Sequence, residues 1–489
     1  MKELAGRILE QLMYDPENPL LFNSGFFVYF LFFFILLFYA VRKHHRMRTG
    51  VFTLFSLYFF YKACGWYVSL IILSAIVDYT LSNLIYIQKT RARKTALLVL
   101  SLVLNLGLLF YFKYTNFFIS IINDLQFQEI SPLNLILPIG ISFYTFENLS
   151  YTIDVYRGHF KPVRSFLDYL FFLSFFPKLV MGPIVRASDF IPQIRKEYSV
   201  SQHDFSLGFF LIVTGLFKKL VISDYINVNY VGYIFDDPSK HTGLECLLGI
   251  YGYALVIYCD FSGYSDVAIG LARWMGFNVN INFNSPYQSA SITEFWRRWH
   301  ISLSSWLRDY LYISLGGNRK GKIRQYVNLA ITMLLGGLWH GASWNFVIWG
   351  GMHGVALALD KARMALFGKM KESRVLRVIG IVFTFHLVGF TWIFFRANSL
   401  DDSMVILRQL WYNFDAGGIG ILAAAYQTVF LMMALGFILH FIPQRACDTI
   451  VKKMEGFNIV AFLLIFLAFM FIFYQIKVSE QVMPIYLQF

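Results

Sequence analysis

Charge is what this chain has least of. Asp, Glu, Lys and Arg together make up 15% of its 489 residues, whereas 57% are hydrophobic and 19% aromatic, with 53 Phe and 30 Tyr. So apolar and aromatic a composition excludes a soluble enzyme. Cysteine is scarce too. Cys64, Cys246, Cys259 and Cys447 are scattered with no CxxC spacing and no histidine at metal-ligand distances, which argues against a disulfide framework and against a metal site. No internal repeat, low-complexity tract or Ser/Pro linker marks a boundary, so one membrane domain over residues 1–489 is expected. The inverted repeat of many secondary transporters is not visible either.

What is present is a series of apolar runs. Uncharged or nearly uncharged stretches recur at Gly25–Val41, Ala96–Phe112, Phe205–Phe217, Thr242–Tyr258, Gln325–Leu359, Val378–Phe395, Gly417–Phe441 and Phe457–Ile476. Val51–Ile87, Ser131–Ile153 and Phe166–Ile184 are apolar with one to three charges each. At roughly 20 residues per span, this predicts an all-α polytopic membrane protein with about eleven transmembrane helices. The first 25 residues carry Glu3, Glu10, Asp15 and Glu17 against Lys2 and Arg7, which predicts no cleavable signal peptide and an N-terminus outside. The basic loops Arg42–Arg48 and Lys89–Lys94 then belong in the cytoplasm. The net charge of +13 is read as topology and attraction to anionic membrane lipids, with no nucleic-acid partner.

One residue stands against this apolar background. His340 lies within Gln325–Leu359, a stretch of 35 residues without a single Asp, Glu, Lys or Arg. A charged group in hydrocarbon costs about 2.5 kcal/mol or more, so an imidazole kept there is neutral. Neutral imidazole is a proton acceptor, the state a general base requires; a buried histidine tying two helices by one hydrogen bond is the other reading. Gly336, Gly337, Gly341, Gly350, Gly351 and Gly354 around it suit close helix packing.

From Tyr258 to Arg324 the apolar rhythm gives way to a dense mixture of aromatic, glycine, polar and basic residues. Such a segment predicts short interfacial or re-entrant helices lining a cavity. Arg297, Arg298, Arg308, Arg319, Lys320, Lys322 and Arg324 face only Glu294 and Asp309, a local balance of +5 that suits a phosphate-bearing ligand as well as simple topology. Arg297, Arg298, Arg308, Asn318, Arg319 and Lys320 are the candidate residues for binding such a ligand. Asp260 and Asp266, just after an apolar run, are read as a helix cap and a packed polar contact, and Glu147, Asp154 and Lys178 as paired charges holding helices together. His353, thirteen residues beyond His340, falls roughly 20 Å from it on a continuous helix and is read, with His386 and His440, as structural.

The block Ile292-Thr293-Glu294-Phe295-Trp296-Arg297-Arg298-Trp299-His300, followed by Leu338-Trp339-His340-Gly341, resembles the membrane-bound O-acyltransferase family in its bacterial polysaccharide O-acetylation branch. Leu137-Pro138-Ile139-Gly140-Ile141-Ser142-Phe143-Tyr144, Ile153-Asp154-Val155-Tyr156-Arg157-Gly158, Gly182-Pro183-Ile184 and Asp260-Phe261-Ser262-Gly263-Tyr264-Ser265-Asp266 add to the likeness, which runs from about Tyr111 to Arg396. The resemblance implies a helical fold around a central tunnel in the cytoplasmic (inner) membrane of a bacterium. It implies acyl transfer from a cytoplasmic thioester, acetyl-CoA in the usual case, to a hydroxyl of a cell-surface or secreted polysaccharide. The family's invariant histidine falls on His340 and its second histidine on His300; Asp260, Trp339 and Asn345 are read as tunnel or support residues. Only thirteen residues, Lys477–Phe489, follow the last apolar run, so an extracytoplasmic acyltransferase or acyl-accepting partner is expected. A transporter or flippase for a lipid-linked glycan is the alternative, and a membrane scaffold a third.

Overall fold

Helix is the only regular structure among the described residues, 10–22, 24–125, 129–368, 373–476 and 482–487 of a computed structural model. Lys2, Glu3 and Arg7, part of the charge pattern read for the N-terminus, lie outside them, as does much of the segment after Ile476. In chain order the principal helices are α1 (Gly25–Val41), α2 (His45–Cys64), α3 (Val68–Ile87), α4 (Arg91–Lys113), α5 (Ile141–Arg157), α6 (Phe166–Ser174), α7 (Gln202–Leu216), α8 (Gly243–Trp274), α9 (Ile292–Arg298), α10 (Ile301–Trp306), α11 (Lys322–His340), α12 (Trp344–Phe367), α13 (Arg374–Arg396) and α14 (Ile459–Ile476).

Among the described residues, six helical segments are long and apolar enough to cross a membrane: His45–Ile87, Arg91–Lys113, Gln202–Asp236, Gly243–Trp274, Arg374–Arg396 and Ile459–Ile476. The pair Ala416–Ala425 and Gln427–His440, bent by 96°, adds a seventh as a broken span, and α1 is a shorter apolar helix. The other apolar runs form shorter or paired helices.

The chain divides into two compact units, Met1–Gly208 with Ala268–Asn280 and Phe209–Val267 with Ile281–Phe489. The first is an aromatic core stitched by buried polar contacts. Phe190 stacks on Phe277 at 4.8 Å between ring centroids, Phe52 on Phe171 at 5.1 Å, and Phe34 meets Phe176 at 5.5 Å. The carboxylate of Asp78 on α3 accepts from Ser101 Oγ (2.5 Å) and Asn105 Nδ2 (2.7 Å) of α4 and from Thr152 Oγ1 (3.1 Å) of α5. Glu147 pairs with buried Lys178 and also accepts the Val185 N–H at 3.0 Å, so these two charges hold helices together as their isolation in apolar sequence suggested.

Elsewhere two expectations change. The run Thr242–Tyr258 does not stop at Asp260. It continues as α8 to Trp274, and neither Asp260 nor Asp266 caps a helix. Lysines make this continuation tolerable: Lys219 Nζ lies 2.6 Å from Asp260 and 2.7 Å from Asp224, and Lys218 pairs with Asp266. Consecutive residues of an α-helix point about 100° apart, so one α-helical face does not present both lysines. The π-helical turn Phe217–Ser223 alters that spacing, and Gly215 and Gly263 let the backbones approach until a Cβ on either would meet the other's carbonyl oxygen at 2.6 Å.

The second change concerns Gln325–Leu359, which is not one continuous helix. It breaks at Gly341 into the hairpin α11–α12, whose helices make the most extensive contact in the fold. A Cβ on Gly337 would sit 2.2 Å from the Phe346 carbonyl oxygen, and one on Gly350 2.4 Å from that of Met333, so backbone meets backbone. The glycines are packing residues first. Gly337→Ala therefore overpacks a rigid contact, and a loss of about 1–3 kcal/mol is expected, read as a lower thermal midpoint in detergent; an unchanged midpoint would contradict this packing.

Candidate active site

His340 is the last residue of α11, 3% exposed, at the tip of the hairpin. Its ring is walled by Trp339 (5.0 Å between centroids), Trp349 (5.2 Å), Phe395 (5.2 Å) and Tyr486 (5.3 Å). His300 lies beside it, the two imidazoles 6.4 Å apart.

His300 is held by unusual backbone. It precedes α10 with φ of +42°, one of two non-glycine residues in the left-handed region among those described, a conformation that stores on the order of 1–3 kcal/mol and clusters at functional sites. Its Nδ1 lies 3.1 Å from Asn282 Oδ1. The same oxygen accepts the Ser302 N–H at 3.2 Å and the Ser302 hydroxyl at 2.9 Å, which fixes it as the acceptor side of the amide. His300 must therefore donate from Nδ1, and in the neutral ring Nε2 is the acceptor nitrogen. Burial holds it neutral, pushing its pKa down from 6.5 to about 3.

His353 is different. Trp296 Nε1–H donates to its Nδ1 (3.3 Å), so Nε2–H faces Thr391 Oγ1 (3.0 Å) and both nitrogens serve the fold. Because the helix breaks, the 20 Å separation expected on a continuous helix does not apply: Trp349 packs 4.7 Å from His353 and 5.2 Å from His340. His386 hydrogen-bonds Val382 O and Tyr251 OH, and His440 Nε2 accepts the Tyr287 N–H at 3.1 Å, which suits structural roles for both.

The support residues do distinct jobs. Trp339 is 4% exposed against both histidines. Asn345 Nδ2 donates to Ala397 O at 3.0 Å, tying the start of α12 to the end of α13. Asp260, besides Lys219, accepts the Ile485 N–H at 2.9 Å and so anchors the C-terminal segment that carries Tyr486.

The predicted donor-binding set is not gathered at the histidines. Arg298 is committed to Glu294 (2.9 Å) and Arg308 to Asp309 (2.7 Å). Arg297, Asn318, Arg319 and Lys320 are exposed. The last three precede α11, so they lie roughly 27 Å along the helix from His340 at 1.5 Å per residue.

Three residues escaped the sequence reading. Asn282 gave no signal beyond being polar in an aromatic segment, Tyr486 sits in a tail with no motif, and Trp349 reaches His340 only because the helix turns back. Trp349 is fully buried, and its Nε1–H makes no hydrogen bond to a described residue, which leaves a donor on a ring packed against His340. No group of three or more His, Cys, Asp or Glu among the described residues could hold a metal ion.

Long apolar helices, one broken span and two buried, adjacent imidazoles are the marks of an integral membrane protein with a polar site in an apolar interior. The chain matches the membrane-bound O-acyltransferase family over residues 14–399, and it belongs to that family. The match starts well before Tyr111, where the motif likeness began. The chain is 35% identical over 423 residues to a peptidoglycan O-acetyltransferase of Helicobacter pylori, covering 80% of each chain. It is 41% identical over 392 residues to a probable alginate O-acetylase AlgI of Pseudomonas aeruginosa, covering 78% of this chain and 73% of that one. A teichoic acid D-alanyltransferase of Bacillus subtilis is 31% identical over 281 residues, 55% of this chain and 70% of the relative. The protein is a multi-pass membrane O-acyltransferase.

The neutral state of His300 has a thermodynamic signature. Its folded pKa is below its unfolded one, so above about pH 6.5 the group costs nothing, and as pH falls from there toward 3 the unfolded state binds the proton preferentially and stability is lost. His300→Gln should lose less stability than wild type between about pH 7 and pH 5 in detergent thermal scans. Equal losses would contradict a buried neutral His300.

Proposed function

We propose that this enzyme moves an acetyl group from a cytoplasmic thioester, acetyl-CoA, through its interior to a hydroxyl acceptor on the outer side, serving O-acetylation of a cell-surface or secreted polysaccharide. The observation that carries the reading is the pair His340 and His300, side by side, buried and walled by aromatic rings at the end of a glycine-packed helix. His340 is the general base. It accepts the acceptor hydroxyl's proton as that oxygen attacks the thioester carbonyl, and the thiolate leaves without strong acid assistance. The carbonyl end of the α11 dipole complements the positive charge that builds on the ring as it takes the proton.

His300, with Nδ1–H committed to Asn282, offers an acceptor nitrogen and so orients a hydroxyl better than it stabilises an oxyanion. The oxyanion falls to Trp349 Nε1–H, a buried donor beside His340. Arg297, Asn318, Arg319 and Lys320 suit the donor's phosphates. The N-terminus lies outside in the cytoplasmic membrane, and an extracytoplasmic acyltransferase or acyl-accepting protein receives the group.

Radiolabelled acetyl-CoA presented to the purified protein in vesicles, with an extracytoplasmic acceptor protein present, tests this directly. His340→Ala should cut CoA release about 100- to 10,000-fold with its thermal midpoint preserved, and Trp349→Phe about 100- to 1,000-fold. Equal CoA release by His340→Ala and wild type would show that His340 is not the base. Movement of a lipid-linked glycan without thioester consumption would replace the reading with a flippase.

A further inference from the structure

A long groove in the second unit is separate from His300 and His340. It has a volume of about 1390 Å³ and runs between α12 and α13, with Ala290, Ser291, Ile292 and Glu294 along one side. Its walls are apolar and open outward: Val355 is 59% exposed, Leu359 65%, Ile379 58% and Phe383 68%. Its length follows from the helix. Ile348 to Arg363 spans roughly 22 Å at 1.5 Å per residue, more than the depth of about 15 Å that one leaflet's hydrocarbon occupies.

The two ends differ. At the inner end Thr391 meets His353 and the lining is otherwise apolar. At the other end Arg363 and Arg377 enter the lining with side chains 44% and 41% exposed, held in place by Asp360 (2.9 Å) and Glu294 (3.4 Å). Both guanidinium groups line the groove and are partly exposed, and a guanidinium can grip a phosphate bidentately. Exposed arginines at the mouth of an apolar groove between membrane helices match a phosphate headgroup with its acyl chain behind it. Glu294 is shared with Arg298 (2.9 Å), so the two carboxylates offset only part of the positive charge at the mouth, which suits a phosphate-bearing headgroup.

We propose that the α12–α13 groove is a binding site for one glycerophospholipid of the surrounding membrane, its phosphate on Arg363 and Arg377 and an acyl chain along Leu359, Val355 and Ile348. The site stands on the groove's own charge and shape and does not depend on the assignment of His340. It also makes a lipid part of the wall behind Thr391 and His353.

The test uses the full protein in vesicles with phosphatidylethanolamine carrying a diazirine in one acyl chain. Photolysis should label α12 and α13 peptides. Excess unlabelled phosphatidylethanolamine or phosphatidylglycerol should displace the label at least tenfold better than dioleoylglycerol, which has the chains and no phosphate. Val355→Trp, which fills the groove and leaves both arginines, should lose the label at least fivefold at an unchanged thermal midpoint, and Arg363→Gln with Arg377→Gln should abolish the advantage over dioleoylglycerol. Full labelling of Val355→Trp, equal competition by dioleoylglycerol in wild type, or a copurified polypeptide crosslinked at the groove in place of lipid would each overturn the proposal.

Discussion

The structure depends on one interruption: α11 ends at His340 and the chain turns straight back as α12. A continuous helix would carry His340, Trp349 and His353 to different depths and leave the imidazole facing lipid on part of its circumference. The hairpin instead folds the second half of the apolar run over the first, so the indole of Trp349 comes to rest between His353 and His340. Close contact is the condition for this. Gly337 and Gly350 allow backbone to touch backbone, and Gly341 leaves room for the Phe346 ring, which a Cβ there would meet at 1.9 Å.

A second constraint shapes the rest. In a chain with so few charges, nearly every buried one is matched, because an unpaired ion in a low-dielectric interior costs several kcal/mol. Lys219 bridges Asp224 and Asp260, Lys218 meets Asp266 and Lys178 meets Glu147. Asp78 is satisfied by three neutral donors. These pairs also position the site: by holding Asp260, Lys219 fixes the acceptor for the Ile485 N–H and with it the approach of Tyr486 to the histidines.

Much of this was legible in the sequence, and the remainder was hidden for physical reasons. Composition and run length define a helical membrane protein, and an imidazole in an uncharged run marks His340. The Arg-Trp block followed by Trp-His-Gly pairs His340 with His300, and the two rings do meet. The break at Gly341 was not legible, because Gly-Ala-Ser within an apolar run carries no proline, and glycine near helices signals packing as readily as a turn. Asp260 looked like a helix end because its neutralising lysine is distant in sequence and reaches it only through a π-helical turn. Tyr486 and Asn282 were invisible because their roles exist only in the tertiary contacts of Asp260 and Ser302.

The central claim is that the reacting carbonyl sits at the His300 and His340 pair. Its most direct test is a structure of the full chain with a non-hydrolysable acetyl-thioether analogue of the donor. The account predicts the carbonyl analogue within about 4 Å of His340 and within hydrogen-bond reach of Trp349 Nε1, with the donor's phosphates toward Arg319 and Lys320. An analogue bound with its carbonyl remote from both imidazoles would contradict it.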